Sequence, residues 1–290
     1  MYDVYGIMFK RLIRYIKRLA VFAPGIVIAY VSVEYTLPFF DRRLPIAFGI
    51  TATYMLAAYV LIPSIIRLWR IIAPAKHLPL YCITPDGFAS DPLNIGLVST
   101  RFGVIEAMQK AGWHMADPYT FQNCIKQVLS VVFGHEYLTG PMSSLYMFGR
   151  KQDLAFEIPV NGSTRNRHHV RFWATTFSQG TPIVAKNIDW RHRKAHLQDD
   201  RLLWVGAASL DTGVRPIRHN WQITHMVHPD TNQERDLIVS GLNSKELIET
   251  TEKLKLGNPY KLINRTWRGE LHTDGVMKVV KLKDRKSLGR

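Results

Sequence analysis

The chain has 290 residues, 47% of them hydrophobic and 21% charged, with a formal net charge of +15. That balance excludes extensive disorder. Only two cysteines occur, Cys82 and Cys124, which gives no disulfide framework and agrees with a reducing compartment.

The apolar residues are unevenly spread. Residues 19–40 (LAVFAPGIVIAYVSVEYTLPFF) and 44–66 (LPIAFGITATYMLAAYVLIPSII) are almost free of charge. Each matches the roughly twenty apolar residues that a helix needs to cross about 30 Å of hydrocarbon. They predict two transmembrane helices joined in a tight hairpin, the alternative being a hairpin buried in a protein core. A cleaved signal peptide fits poorly, because no small-residue cleavage site ends the first segment and a second follows at once. Glu34 lies inside the first segment, where a carboxylate either marks an ion path or reaches to the interface. Lys10, Arg11, Arg14, Lys17 and Arg18 precede the segments, and Arg67, Arg70 and Lys76 follow them. Only Arg42 and Arg43 lie between. The positive-inside rule then places both termini and the main domain in the cytoplasm.

Residues 1–76 contribute +7 of the charge and the remainder +8. Such a basic balance suits anionic lipid headgroups, worth about 1 kcal/mol per basic residue near the surface. Nucleic acid is the other usual partner. No zinc-finger spacing, recognition-helix pattern or RNA-binding aromatic motif occurs, so none is expected.

Residues 77–91, rich in proline, read as a connector. After it, Asn94–Ser99 reads as a buried strand, Phe102–Ala111 as a helix stopped by Gly112, and the stretch after Asp117-Pro118 as a second helix. That helix would carry an apolar face of Phe121, Ile125, Val128, Leu129, Val132 and Phe133. Strands are predicted at Ser144–Phe148, Leu154–Pro159, His169–Thr176, Leu202–Leu210, Gln222–Val227 and Val276–Leu282. Helices are predicted at Asn232–Gly241 and Ser244–Leu254. The fold class is therefore α+β: a two-helix transmembrane hairpin in residues 1–76, then a domain at 92–282 with a mixed or antiparallel sheet, then a basic tail at 283–290.

Four stretches carry candidate chemistry. In THMVHPDTNQERD (224–236), Thr231-x-x-Glu234 fits a capping box, and Asp230 suits a helix start. His225, His228, Arg235 and Asp236 are left over for a site, although His225 shares a strand face with Ile223 and Val227. In RNRHHVRFW (165–173), strand alternation puts His169, Arg171 and Trp173 on one face and Val170 and Phe172 on the other. Arg167 and His168 start that strand. These cations suit an anion, or equally a solvated sheet edge. Asp211-Thr-Gly-Val214 follows a strand and reads as a catalytic carboxylate or a simple turn. Asp189–Asp200 holds His192 and His196 at helical spacing. It lacks the glutamate of a zinc-protease helix, so no metal is expected there.

The runs AMQKAGWHMADPYT (107–120), LYMFGRKQDLAFE (145–157), RHHVRFWAT (167–175), WVGAASLDTGV (204–214) and THMVHPDTNQERD (224–236) resemble the LssY C-terminal domain family in order and spacing, over roughly residues 92–282. The resemblance implies a domain attached to a bacterial inner membrane, since family members are bacterial and are often joined to membrane modules. It brings no reaction, cofactor or catalytic residue with it, and residues 1–90 carry no phosphatase signature.

Two functions are expected from these readings. The first is a membrane-tethered module that binds an anionic, phosphate- or headgroup-like ligand or a membrane-protein partner. Arg167, His168, Arg171, Trp173, His228, Asp230, Glu234, Arg235 and Asp236 supply its candidate contacts. The second is a hydrolase of a phosphorylated or lipid-linked substrate, with His225 or His169 as acid–base and Asp211 orienting it or helping to hold a metal.

Overall fold

The computed structural model describes residues 27, 30–41, 46–62, 64–65, 80–85, 89–133, 135–147, 149–160, 163–177, 183, 188–189, 201–216, 223–263 and 270–283. The chain divides into two compact units, Met1–Ile72 and Ala73–Arg290.

In the first unit, residues 30–41 are helical without a break. A π-helical turn at Ser32–Thr36 runs into α1 (Leu37–Asp41). Helix α2 (Ile46–Leu56) continues through a second π-helical turn, Ala57–Leu61. The two helices pack on one another. Val33, Tyr35, Phe39, Phe48, Ile50 and Val60 all point outward and are exposed. Among the described residues no helix is long and apolar enough to cross a membrane; the rest of segments 19–40 and 44–66 lies outside them.

The second unit is α+β. Its strands are β1 (Tyr81–Ile83), β2 (Ala89–Pro92), β3 (Ile95–Ser99), β4 (His114–Met115), β5 (Tyr146–Met147), β6 (Arg150–Lys151), β7 (Leu154–Val160), β8 (Ser163–Phe177), β9 (Ile188–Asp189), β10 (Leu202–Pro216), β11 (Ile223–Val227), β12 (Ile248–Lys255), β13 (Tyr260–Ile263), β14 (Glu270–Thr273) and β15 (Val276–Leu282). Its helices are α3 (Arg101–Lys110), α4 (Phe121–Phe133) and α5 (Asn232–Ser244). The main sheet runs β12-β15-β3-β10-β8-β7-β4, with β11 on β10 and β9 on β8. Every described pair in it is antiparallel except β15–β3. A smaller sheet, β2-β1-β5-β6, and the hairpin β13-β14 complete the strands.

Strand alternation divides the core into two layers. One face of the main sheet carries Ile95, Leu97, Phe156, Val170, Phe172 and Trp204, which pack against Val104 and Met108 of α3 and Ile238 and Leu242 of α5. The opposite face carries Val98, Trp173, Leu203, Val205, Met277 and Val279, covered by Cys82 and Met147 of the small sheet and by Leu145 just before β5. Helix α3 starts where Thr100 Oγ1 accepts the Gly103 N–H at 3.0 Å, and stops before Gly112 at φ +89°.

Midway along β10, Gly206 admits the neighbouring strands: a Cβ there would lie 2.6 Å from the Phe172 ring and 2.7 Å from Ile95. Gly206→Ala will therefore destabilise the domain by about 1–3 kcal/mol through overpacking. Urea unfolding checks this, and an unchanged midpoint would mean that the ring turns aside freely.

Several expectations need correction. The segment predicted as a helix at Ser244–Leu254 is instead the strand β12, paired with β15. Helix α5 uses the residues up to Ser244, Glu246 turns the chain at φ 55°, and the threonines of IETTEKLK prefer the pleated surface. The connector contains β1 and β2. Strand Ser144–Phe148 shrinks to β5. Asp211 is not at a strand end: β10 runs on to Pro216, with an irregular register against β11 between Asp211 and Gly213. Helix α4 forms as expected, but Phe121, Ile125, Val128, Leu129 and Phe133 face outward and are exposed.

Candidate functional site

The β8 face turned away from α3 and α5 carries Arg167, His169 and Arg171 in a row, an alternation that the sequence already displays. Register decides what meets them. Strand β10 places Asp211 opposite Arg167 and Ser209 opposite His169. Strand β7 places Glu157 opposite His169 on the other side. Asp91 arrives from β2, and His225 from β11, where it pairs with Val214.

These side chains form one buried ionic cluster. Arg167 donates from Nη1 to Glu157 Oε2 at 2.5 Å and from Nε to Asp211 Oδ2 at 3.3 Å. His169 sits between two carboxylates, with Nε2 3.4 Å from Asp91 Oδ2 and Nδ1 3.4 Å from Asp211 Oδ2. Arg171 donates from Nη1 to Asp91 Oδ2 at 3.2 Å and from Nε to the Ser143 carbonyl at 3.3 Å. His225 Nδ1 stands 3.5 Å from Asp211 Oδ2. Asp91, Glu157, Arg167, His169, Arg171, Ser209 and Asp211 are all buried, whereas the His225 side chain is 35% exposed. Taking charges out of water is costly, and here opposite charges offset much of that cost.

The ionisation states follow. Burial works to raise the pKa of Asp211, but the charge of His169, with His225 and Arg167, outweighs it and holds the carboxyl well below the usual range. Asp91 is likewise lowered against burial, by His169 and Arg171. His169 is pushed up to about 9, since the Asp211 charge overcomes burial, so it is an imidazolium at neutral pH. Glu157 is raised to about 7, because burial wins over the pull of Arg167. His225 is lowered: burial outweighs Asp211, and the surrounding cations add to it. At neutral pH its ring is uncharged.

Not every polar atom here is paired. Glu157 Oε1, Ser209 Oγ and Gln127 Oε1 are buried without a hydrogen-bond partner among the described residues, and His169 Nδ1 and His225 Nδ1 face Asp211 at 3.4 Å and 3.5 Å without hydrogen-bond geometry. Native interiors rarely leave such atoms unmet, so their concentration makes this cluster the candidate site. Among the described residues, no group of three His, Cys, Asp or Glu side chains is arranged to hold a metal ion.

Other residues predicted for the site fall elsewhere. His168 points to the opposite side of β8, where its Nδ1 meets Glu234 at 2.9 Å and 3.0 Å. The capping box is not made. Glu234 serves His168, the Thr231 hydroxyl donates to the His272 carbonyl at 2.9 Å, and Asp230 Oδ1 accepts the Asn232 N–H at 3.0 Å instead. Arg235 is tied to Asp236 at 2.8 Å and Asp274 at 2.9 Å. Asp236 also takes Lys278 at 2.8 Å. His228 stands 3.5 Å from the Asp230 carbonyl. Trp173 shares the face of His169 but is a core residue, its indole donating to the Arg150 carbonyl at 3.0 Å. The start of α5 thus stays with the helical layer and does not complete the cluster. Apart from Asp189, the segment with His192 and His196 lies outside the described residues.

Sequence reasoning missed Asp91, Glu157 and Ser209. Glu157 gave a signal, as the one carboxylate inside the apolar strand LAFEIPV. Asp91 was hidden in a segment read as a connector. A family model described as LssY C-terminus matches residues 75–277. No curated protein and no solved structure matches the chain.

Proposed function

For a chain that belongs to the LssY C-terminus family, we propose general acid–base hydrolysis at the His225–Asp211 pair, in a domain that two apolar helices tether to the cytoplasmic membrane. One observation carries this reading. A partly exposed, uncharged histidine stands 3.5 Å from a carboxylate that Arg167 and His169 keep ionised. His225 Nδ1 is buried and faces Asp211, so the 35% of the side chain that is exposed lies away from that nitrogen. Nδ1 faces the ionised carboxylate at 3.5 Å, which favours the tautomer with its proton on that nitrogen and leaves Nε2 as the free base. That nitrogen takes a proton from water and returns it to the leaving group. Asp91, Arg167, His169 and Arg171 fix the charge of Asp211 and do not touch the reacting atoms.

Anion capture, the other function expected from the sequence, is less favoured by the geometry, since Arg167, His169 and Arg171 already face carboxylates. The tether rests on the two nearly uncharged segments and on the outward-facing apolar side chains of residues 33–60. Anionic lipid at the basic flanks is the partner that their charge suits.

The full chain in detergent, offered chromogenic phosphate and acyl esters and glycerophospholipids, tests the reaction. His225→Gln should lower turnover by roughly 10²–10⁴-fold, the range that acid–base groups contribute, with the melting temperature little changed. The wild-type rate should rise as pH passes the lowered pKa of His225, and fall as His169 loses its proton near 9. Equal turnover in the variant would remove the proposal.

A further inference from the structure

Helix α4 is built inside out. Ser130 is buried, and Asn123, Cys124 and Gln127 are part-buried, while Phe121, Ile125, Val128, Leu129 and Phe133 face outward at helical spacing. Phe121 is 82% exposed and Phe133 66%. Tyr119 and Leu138 extend the apolar surface beyond both ends. A helix packed for solvent would show the reverse pattern. The segment is closed at its base, where Asp117 Oδ2 accepts from the Tyr137 hydroxyl at 2.6 Å and from Thr139 at 3.1 Å.

The inner side of α4 backs onto the ionic cluster. Gln127 Oε1 is buried without a partner among the described residues. A Cβ added at Gly140 would lie 2.1 Å from that oxygen and 3.4 Å from Arg167 Nη1. One helix therefore joins the site to the outer apolar surface.

We infer that the outward face of α4 lies in the headgroup–acyl boundary of a lipid bilayer, so that the site beneath it faces a lipid source of substrate. This rests on the tether in the reading above. Residues 66–79 connect the apolar segment to the domain and reach about 50 Å at most, which keeps the domain near the bilayer. Charge fits too. Lys126 is the one charged residue between Pro118 and His135, and it is exposed beside the apolar stripe. Its ammonium can reach anionic headgroups while its stem lies along the stripe. A second copy meeting this face would set two Lys126 charges against each other.

The full chain in a Cys124→Ser background, reconstituted in phosphatidylcholine vesicles with a minority of phosphatidylglycerol, tests this. Nitroxides are placed at Val128→Cys, at Leu129→Cys, at Glu252→Cys on the exposed side of β12, and at Thr51→Cys in the second apolar segment. The expected result is an oxygen-to-nickel-chelate collision ratio several-fold higher at residues 128, 129 and 51 than at 252. Aqueous values at 128 and 129 with a lipid value at 51 would overturn the inference and leave the tether standing. Aqueous values at all positions would remove both. Spin–spin broadening at 128 with protection from both reagents would mean that a second copy covers the face, and would overturn it equally.

Discussion

Asp211→Asn will destabilise the domain by about 3–5 kcal/mol, the cost of removing one partner from a buried ion pair. Asp211 Oδ2 alone stands 3.3 Å from Arg167 Nε, 3.4 Å from His169 Nδ1 and 3.5 Å from His225 Nδ1. An amide keeps the shape and deletes the charge. Arg167 would retain Glu157, but His169 would hold its proton against Asp91 alone. Urea unfolding at pH 6 measures the loss. A change below about 1 kcal/mol would mean that His169 escapes by giving up its proton, since one pKa unit is worth only about 1.4 kcal/mol. Nuclear magnetic resonance of the imidazole would then show it neutral.

Stability will fall as pH rises from the weakly acidic range to 9. Glu157 goes from an ordinary 4.5 to about 7 in the folded chain. His169 goes from 6.5 to about 9. Both folded-state values are raised, so both contributions are complete below the ordinary values and are lost as pH climbs through the folded ones. The windows are 4.5 to 7 for Glu157 and 6.5 to 9 for His169. Asp91 and Asp211 are lowered, so their contributions stand above 3.8 and vanish in acid. His225 is lowered as well, and adds stability only as it deprotonates. The melting temperature should therefore peak between pH 4.5 and 6.5. Glu157→Gln isolates the first window. A glutamine keeps the neutral form, so the variant should match wild type near pH 4.5 and exceed it at pH 8, by on the order of 3 kcal/mol. A variant weaker than wild type at pH 8 would show that the Arg167–Glu157 pair is worth more than the burial of the carboxylate costs.

Local chemistry was legible in the sequence where period and punctuation agreed. Helix α3 carries its apolar residues at helical spacing between Thr100 and Gly112, and β8 alternates so clearly that the division between His168 and His169 follows from pleating alone. The family's motif runs were legible too. Where pairing decides the outcome, one sequence falls short. Thr231 and Glu234 have the spacing of a capping box, but Glu234 is claimed by His168, which lies 66 positions earlier. Asp91 enters the cluster only because β2 folds over β8, 78 positions from His169. The apolar stripe of α4 identified the helix but not its outward orientation, since spacing says which residues share a face and not which face meets the core.

The one parallel pairing in the main sheet among the described residues has a consequence for the order in which the protein can form. Strand β15 (Val276–Leu282) lies between β12 and β3. Until residues 276–282 leave the ribosome, Ile95–Ser99 can pair with β10 on one side but presents bare N–H and C=O groups on the other. Contacts this distant in sequence make for slow folding. A nascent chain halted before residue 276 would hold an unpaired edge in the middle of its largest sheet, open to pairing with another chain. Completion of the main sheet thus waits until β15 has been made.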